Sequence, residues 1–341
     1  MPGPQSTGFR KIQFPPTHLE YSLIPRVSGL EWSTKEFVIL IFISRILCAL
    51  PIGLLLRLGR LLGLDWYYLL PIRVGVARQN VERVYGDSLS PARKRQIVRR
   101  SCQNLTMTIL EGFRLPILKE PREASRIETR GMELLREPTE RGQGGCLVSL
   151  HLGNFELAVG TMATQGLPIH IIYKDINWKS AHNFWNLVRQ TTGVSAIAPR
   201  RSKNRIKEVL AQGGLVGFAA DQHMPPHRGI VCEFMGQLAS TTPAPCRFAL
   251  ETQTPILFAY TYRQPEDPTR HVFQVESFEI ELPHDSDAEN IRHNSQRLND
   301  RIAEVVKTYP EQWLWQHKRF KVQDNPEAWQ IPTHLQKLTG T

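Results

Sequence analysis

Between Phe37 and Leu64 the chain reads FVILIFISRILCALPIGLLLRLGRLLGL, apolar almost throughout and interrupted by Arg45, Pro51, Arg57 and Arg60. No uncharged run in it reaches the roughly 18 residues of an ordinary spanning helix. If a helix continues past Pro51, a rotation of about 100° per residue gathers the three arginines within an arc of roughly 120°. That pattern predicts a helix lying in a membrane interface with arginines towards phosphates, in preference to a span; a buried core helix is the other reading. A membrane-anchoring segment is therefore expected over 35–71. Before it, residues 1–34 carry Pro2, Pro4, Pro15, Pro16 and Pro25 with little periodicity and are expected to form a loosely structured lead-in. The apolar segment starts too far into the chain, behind polar residues, to be a cleavable signal peptide.

From Ile72 to Leu118 the spacing is helical, with Ser90-Pro91 as a helix start and apolar positions at Ile97, Val98, Leu105, Ile109 and Leu110. After Pro121 short apolar runs alternate with amphipathic segments, which predicts an α/β domain. Strands are expected to end at Leu150, near Lys174, at Pro199, Asp221, Arg263 and Leu282. The expected helices are Ala181–Thr191, Asn204–Gln212, Thr242–Glu251 and Ala288–Tyr309. The fold class is thus α/β, a mixed and largely parallel central sheet flanked by helices, with the helical membrane-associating segment in front. The catalytic-sized domain runs over 72–323, followed by a tail over 324–341.

The charge of +10, from 42 Lys and Arg against 32 Asp and Glu, favours polyanions without choosing among nucleic acid, an anionic membrane face and phosphorylated substrates. The five cysteines, Cys48, Cys102, Cys146, Cys232 and Cys246, are widely spaced, and no pair has C-x-x-C spacing. They indicate neither a disulfide framework nor a zinc knuckle, and point to reduced thiols.

Ligands of an α/β sheet gather beyond the carboxyl ends of its strands. The stretch LVSLHLGNFELAVG, 148–161, places His151 there, directly after a strand. Glu156 follows five positions later, about 140° away on an unbroken helix, so the two side chains meet only if His151 precedes the helix. Gly153 supplies a turn and Asn154 an N-cap, which puts Glu156 in the first helical turn. Two readings fit: a general base oriented by a carboxylate, or a strand-end histidine followed by a favourable first-turn glutamate. A serine-nucleophile elbow, a P-loop and a dinucleotide fingerprint are all missing from the sequence. A zinc pair at His223 and His227 is discounted, because Met224-Pro225-Pro226 between them prevents the helix that such spacing requires.

His-x4-Glu at His151 and Glu156 resembles the His-x4-Asp/Glu signature of glycerolipid acyltransferases. Further stretches resemble one branch, the lipid A biosynthesis acyltransferases that transfer lauroyl and myristoyl groups. They are SRILCALPIGLLLRLGRLLG, the run ARQNVERVYGDSLSPARKRQIVRRSCQNLTMTILEGFRLP, WNLVRQTTG, the block from GGLVGFAADQH to ALETQTPI, and YPEQWLWQHKRFK. The resemblance covers roughly Ser44 to Lys321.

It implies that His151 takes the proton of an acceptor hydroxyl and that Glu156 orients the imidazole. Arg189 matches an arginine of the second block, where it binds phosphate or steadies an oxyanion; a solvated helix arginine is the plain alternative. Asp221-Gln222 match the family's Asp-Gln pair and either position substrate or cap a loop. Phe234 and Gly236 fall in a Phe-Phe-Gly-like block that lines a hydrocarbon slot or belongs to the core, with Met235 departing from the pattern. Around Trp313 and Trp315, Lys318 and Arg319 suit a lipid headgroup or form a solvated basic face.

The resemblance further implies an O-acyltransferase using an acyl carrier protein thioester, or acyl-CoA, as co-substrate. The implied acceptor is a phosphoglycolipid of the lipid A type. Neither a metal nor an organic cofactor is expected, because the thioester is already activated. The expected setting is an anionic membrane surface, with the catalytic domain on the cytoplasmic side of the inner membrane. Rival readings are another membrane lipid as acceptor, a phosphatidylinositol mannoside or a lysophospholipid, and a non-enzymatic basic protein binding membrane or nucleic acid; nucleic acid is not the expected partner.

Overall fold

The computed structural model describes residues 35–172, 176–198 and 202–338. The expected lead-in over 1–34 and the strand ends at Lys174 and Pro199 lie outside them. Four helices come first: α1 (Lys35–Ala49), α2 (Ile52–Tyr68), α3 (Val74–Tyr85) and α4 (Pro91–Gly112). After the short α5 (Pro121–Ala124), strands and helices alternate: β1 (Ile127–Arg130), α6 (Glu133–Glu140), β2 (Gly145–Ser149), α7 (Phe155–Thr164), β3 (Ile169–Ile172) and α8 (Lys179–Thr192). They continue as β4 (Ser195–Ile197), α9 (Ser202–Ala211), β5 (Leu215–Ala219), β6 (Ile230–Phe234), β7 (Gln237–Thr241), α10 (Ala244–Thr252), β8 (Ile256–Arg263), β9 (His271–Phe278), α11 (Asp287–Thr308) and α12 (Lys321–Asp324).

Among the described residues, seven strands form the central sheet in the order β1-β9-β8-β2-β5-β3-β4, and every pairing is parallel except β8 with β9. The α/β class is the one expected. Alternate residues of β2 enter different cores: Cys146 and Val148 join α3, α4 and α11 on one face, while Leu147 joins α6 and α7 on the other. Burial on both faces is what makes a central parallel strand read as a continuous apolar run. β9 stops at Phe278, short of Leu282, because Phe278 pairs with Ile256, the first residue of β8. β6 and β7 were not expected as strands; they form a separate hairpin. Its turn needs Met235 and Gly236 in the left-handed region, at φ 54° and 77°, the conformation of a tight hairpin connection.

The apolar segment is two helices, not the continuous one that gathers Arg45, Arg57 and Arg60. Pro51 lacks the N–H that would continue α1, restricts Leu50 before it and caps α2 instead. No helix among the described residues is long and apolar enough to cross a membrane. Each of the two helices is divided. Phe37 is buried with Leu157 and Phe184 at α7 and α8, whereas Val38, Ile39, Phe42 and Ile46 are exposed. In α2, Gly59 and Gly63 face α4 so closely that an added Cβ would lie 2.9 Å from the Met107 Cα and 2.4 Å from the Gln103 Cα. Leu54, Leu58, Leu61 and Leu62 face outwards. Exposed apolar residues thus recur along the outer sides of both helices.

α4 begins as expected, with the Ser90 hydroxyl accepting from the Arg93 N–H at 3.3 Å. Its far half departs from the apolar reading. Ile109 is exposed, while Ser101, Asn104, Thr108 and Glu111 are buried.

Candidate active site

β2 and β5 are neighbours, and their register pairs Ser149 with Ala219. Two residues beyond each paired end stand His151 and Asp221, seventy positions apart in sequence and side by side in the fold. The Asp221 Oδ1 lies 2.8 Å from His151 Nδ1, and its Oδ2 accepts the His151 backbone N–H at 2.8 Å. The Trp313 indole N–H donates to the same Oδ2 at 2.8 Å. Asp221 is buried, which taken alone would raise its pKa. The imidazole, the two backbone and indole donors and its charge complement instead hold it at about 2. For His151 burial opposes the charged ring, but Asp221 outweighs burial and raises the pKa above the ordinary histidine value; the charge of Glu156 adds in the same direction. The His151 side chain keeps 20% of its surface exposed, enough for a substrate atom to reach it. With Nδ1 turned to Asp221, Nε2 is the nitrogen that can accept a proton.

Glu156 does not orient the ring by contact. Its carboxylate forms a fork with Arg189, Arg189 Nε to Oε2 at 2.9 Å and NH2 to Oε1 at 2.5 Å. The reason is local: Asn154 caps α7, accepting from Leu157 N–H at 3.1 Å, so Glu156 projects from the first turn towards the last turn of α8. The expected orienting acid is thus replaced by Asp221, and Glu156 acts on His151 through charge alone. Glu156→Gln should move the acid limb of the rate profile to lower pH, because one of the charges that raises the His151 pKa is gone. It should also cost on the order of tenfold in rate, since Arg189 loses its charged partner. A pH series of initial rates, wild type against variant, measures both.

The remaining expected residues divide. The Gln222 amide nitrogen stands 3.4 and 3.3 Å from the two ring nitrogens of His151. A group equidistant from both lies over the ring face, since Cε1–H occupies the plane between them. Arg319 is a correction: it is fully buried, and donates to the Gln222 and Ser240 carbonyls at 3.0 and 2.6 Å and to Thr241 Oγ1 and Asn299 Oδ1 at 2.7 and 2.8 Å. Burial pulls its pKa down to about 10. It fixes the loop bearing Gln222 and cannot meet a headgroup, whereas Lys318 is exposed. Phe234 is likewise core, packed against Trp313 and Phe320 beneath Arg319, and Gly236 is the exposed hairpin turn. The two tryptophans expected near a headgroup are buried as well, Trp315 donating to the Pro310 carbonyl at 2.7 Å.

Two contributors were missed in the sequence. Trp313 completes the donor set of Asp221; a buried indole must find an acceptor, which is the signal that was available. Its segment also runs against the turn that follows His151, with Leu152 bridged to Trp313, Leu314 N–H donating to His151 O at 3.1 Å and Gly153 N–H to Gln312 O at 3.1 Å. Gly153 is at φ 58°, and a Cβ there would sit 2.3 Å from the Thr261 carbonyl oxygen. The second is a buried cluster under the turn, centred on Glu111. It accepts from Arg126 at 2.5 Å, Arg263 at 2.6 Å and the Asn154 amide at 2.9 Å, with His271 Nε2 at 3.1 Å. Burial would raise the Glu111 pKa, yet these cations hold it well below the usual carboxylate range.

All five cysteines are buried, and none is in a disulfide. Burial raises the thiols of Cys146 and Cys232 to about 12, so neither supplies a thiolate at neutral pH. What the site offers is an imidazole with a nitrogen able to accept a proton, its buried anion and an arginine-carboxylate fork beyond the strand ends of a largely parallel sheet.

Residues 30–322 match the family of bacterial lipid A biosynthesis acyltransferases. The chain is 23% identical to a lipid A biosynthesis lauroyltransferase of Escherichia coli over 277 residues, 80% of this chain and 87% of that one. It is 21% identical to a phosphatidylinositol mannoside acyltransferase of Mycolicibacterium smegmatis over 240 residues, 69% of this chain and 76% of that one. With the match covering most of its length, the chain belongs to the bacterial lipid A biosynthesis acyltransferases and is an acyltransferase.

Proposed function

We propose that this acyltransferase moves a fatty acyl group from an acyl carrier protein thioester to a hydroxyl of a lipid A precursor, at a membrane surface, with His151 as general base. The observation that carries the reading is the His151–Asp221 pair at the carboxyl ends of β2 and β5 in a chain of this family. The acceptor hydroxyl gives its proton to Nε2 as its oxygen attacks the thioester carbonyl. Asp221 stabilises the imidazolium that results. The tetrahedral adduct then collapses: the carbon–sulfur bond breaks, and the leaving sulfur takes the proton back from Nε2 to leave as a thiol. Arg189 and Lys318 supply positive charge for the acceptor's phosphates, and Gln222 covers the ring. The exposed apolar residues of α1 and α2, with Arg57 and Arg60 exposed beside them, seat the protein on the cytoplasmic face of the inner membrane. No metal or organic cofactor enters this scheme.

The second reading keeps the chemistry and changes the acceptor to a phosphatidylinositol mannoside, the substrate in the name of one relative. The purified protein, assayed with acyl carrier protein and coenzyme A thioesters against both glycolipids, separates the two. Mass spectrometry of host glycolipids with and without the gene gives the same test in the cell. The expected result is one acyl group added to the lipid A precursor, faster from the carrier protein. Transfer to the mannoside alone would overturn the acceptor assignment.

A further inference from the structure

The sharpest departure from the sequence reading is the inward-facing polar stripe of α4. Residues 104, 108 and 111 recur at helical spacing and lie on one face. Thr108 Oγ1 donates to the Gly153 carbonyl at 2.8 Å, and the Asn104 amide donates to the same carbonyl at 3.2 Å and to Gln312 O at 3.2 Å. Glu111 Oε2 accepts from Asn154 Nδ2 at 2.9 Å, while Asn154 Oδ1 caps α7. Three successive polar groups of one rigid helix therefore grip two successive residues of one turn. All three are buried.

We infer that Asn104, Thr108 and Glu111 are positioning residues of acyl transfer, fixing the Gly153–Asn154 turn and thereby the direction in which His151 presents Nε2; the inference rests on His151 being the base. Apolar residues in these places would pack the helix as well. Polar ones are needed because Gly153, held against Thr261 with a left-handed backbone, turns its carbonyl away from any regular ladder partner and into α4. The Thr108 hydroxyl, at 2.8 Å, is the shorter of the two donors to this carbonyl, and without it the longer Asn104 contact at 3.2 Å holds the turn alone and lets it move. Any movement there displaces a ring whose Nδ1 is aligned with Asp221 at 2.8 Å.

The test compares Thr108→Val, which keeps the shape and removes the donor, with Thr108→Ser, which restores it. Thr108→Val should lower kcat by about tenfold to a hundredfold with KM for both substrates little changed. It should also shift the acid limb of the kcat profile to lower pH, as a misaligned ring loses the contact with Asp221 that raises its pKa. Thr108→Ser should recover both. Rates are taken per folded molecule, so a loss of stability alone moves neither kcat nor the limb. If Thr108→Val does not fold, Thr108→Cys carries the comparison, since a thiol is only a weak donor in the same place. The proposal falls if a folded Thr108→Val or Thr108→Cys keeps wild-type kcat and pH limb while His151→Ala in the same assay is inactive. If His151→Ala itself keeps its rate, the base assignment fails and the positioning role with it.

Discussion

Replacing His151 by alanine is expected to lower kcat/KM by roughly 10² to 10⁴, the contribution of a positioned general base, while leaving the fold and vesicle binding unchanged. The fold is spared because the His151 main chain makes the structural contacts: its N–H bonds Asp221 and its carbonyl accepts Leu314 N–H, and both survive in alanine. Among the described residues, neither neighbouring histidine, His223 or His317, substitutes for it. His317 Nε2 already accepts the His223 backbone N–H at 2.8 Å. Burial, reinforced by the Arg319 and Lys321 charges at His223, takes the pKa of both rings down to about 4, which makes them poor bases at neutral pH. Steady-state rates with a radiolabelled acyl donor, alongside a melting curve, give the comparison. A variant retaining more than a tenth of the wild-type rate would remove His151 from the mechanism.

Asp221→Asn is expected to fall nearly as far, roughly 10²-fold or more, although it is the same size. The carboxylate receives three N–H groups, from the His151 ring, the His151 main chain and Trp313. An asparagine offers one acceptor oxygen and one amide donor to a set that consists of donors only. The tautomer that relieves the conflict carries the proton on Nε2, where it can no longer take one from the acceptor. The pH dependence has a definite sign. In the wild type the raised His151 pKa places the acid limb above the ordinary value near 6.5; without the anion the limb of the residual activity should move down. Stability follows the same pair. The lowered Asp221 pKa contributes stability above about 3.8 that is lost as pH falls towards about 2. The raised His151 pKa contributes stability below about 6.5 that is lost as pH rises through the shifted value. The asparagine variant should lack both slopes in urea titrations across pH.

These two residues show how far the sequence could be read. Each is placed at a strand end by its own neighbourhood, His151 directly after GCLVSL and Asp221 as the last residue of GLVGFAAD. That β2 and β5 are adjacent depends on strand order, which skips β3 and is written in no local pattern. Five-residue spacing therefore drew Glu156 to the histidine, whereas the parallel register of β2 and β5 delivers Asp221. The polar stripe of α4 failed for a related reason. Periodicity identifies a buried face by apolar residues, and this face is buried around backbone carbonyls that need donors. Arg319 and the tryptophans misled in the opposite sense. Residue types typical of a membrane interface serve here as buried donors, a distinction made by partners that lie elsewhere in the chain. The architecture itself was legible, since alternation of short apolar runs with amphipathic helices is local.

The glycine contact between α2 and α4 bears on how this protein can be handled. An apolar N-terminal segment is usually treated as removable, but Gly59 and Gly63 bring the backbone of α2 against the helix that grips the Gly153–Asn154 turn. α1 is tied in as well: the buried Arg114 guanidinium donates to the carbonyls of Leu47 and Leu50 at 2.6 and 2.7 Å. Cutting the chain after Tyr68 would uncover one side of α4 and leave the buried Arg114 with Glu123 but without its carbonyl acceptors, so the truncated protein would trade an exposed apolar surface for a torn core. Detergent-free protein is better sought by recolouring the outer face, with polar residues at Phe42, Leu54 and Leu61, while both helices stay in place.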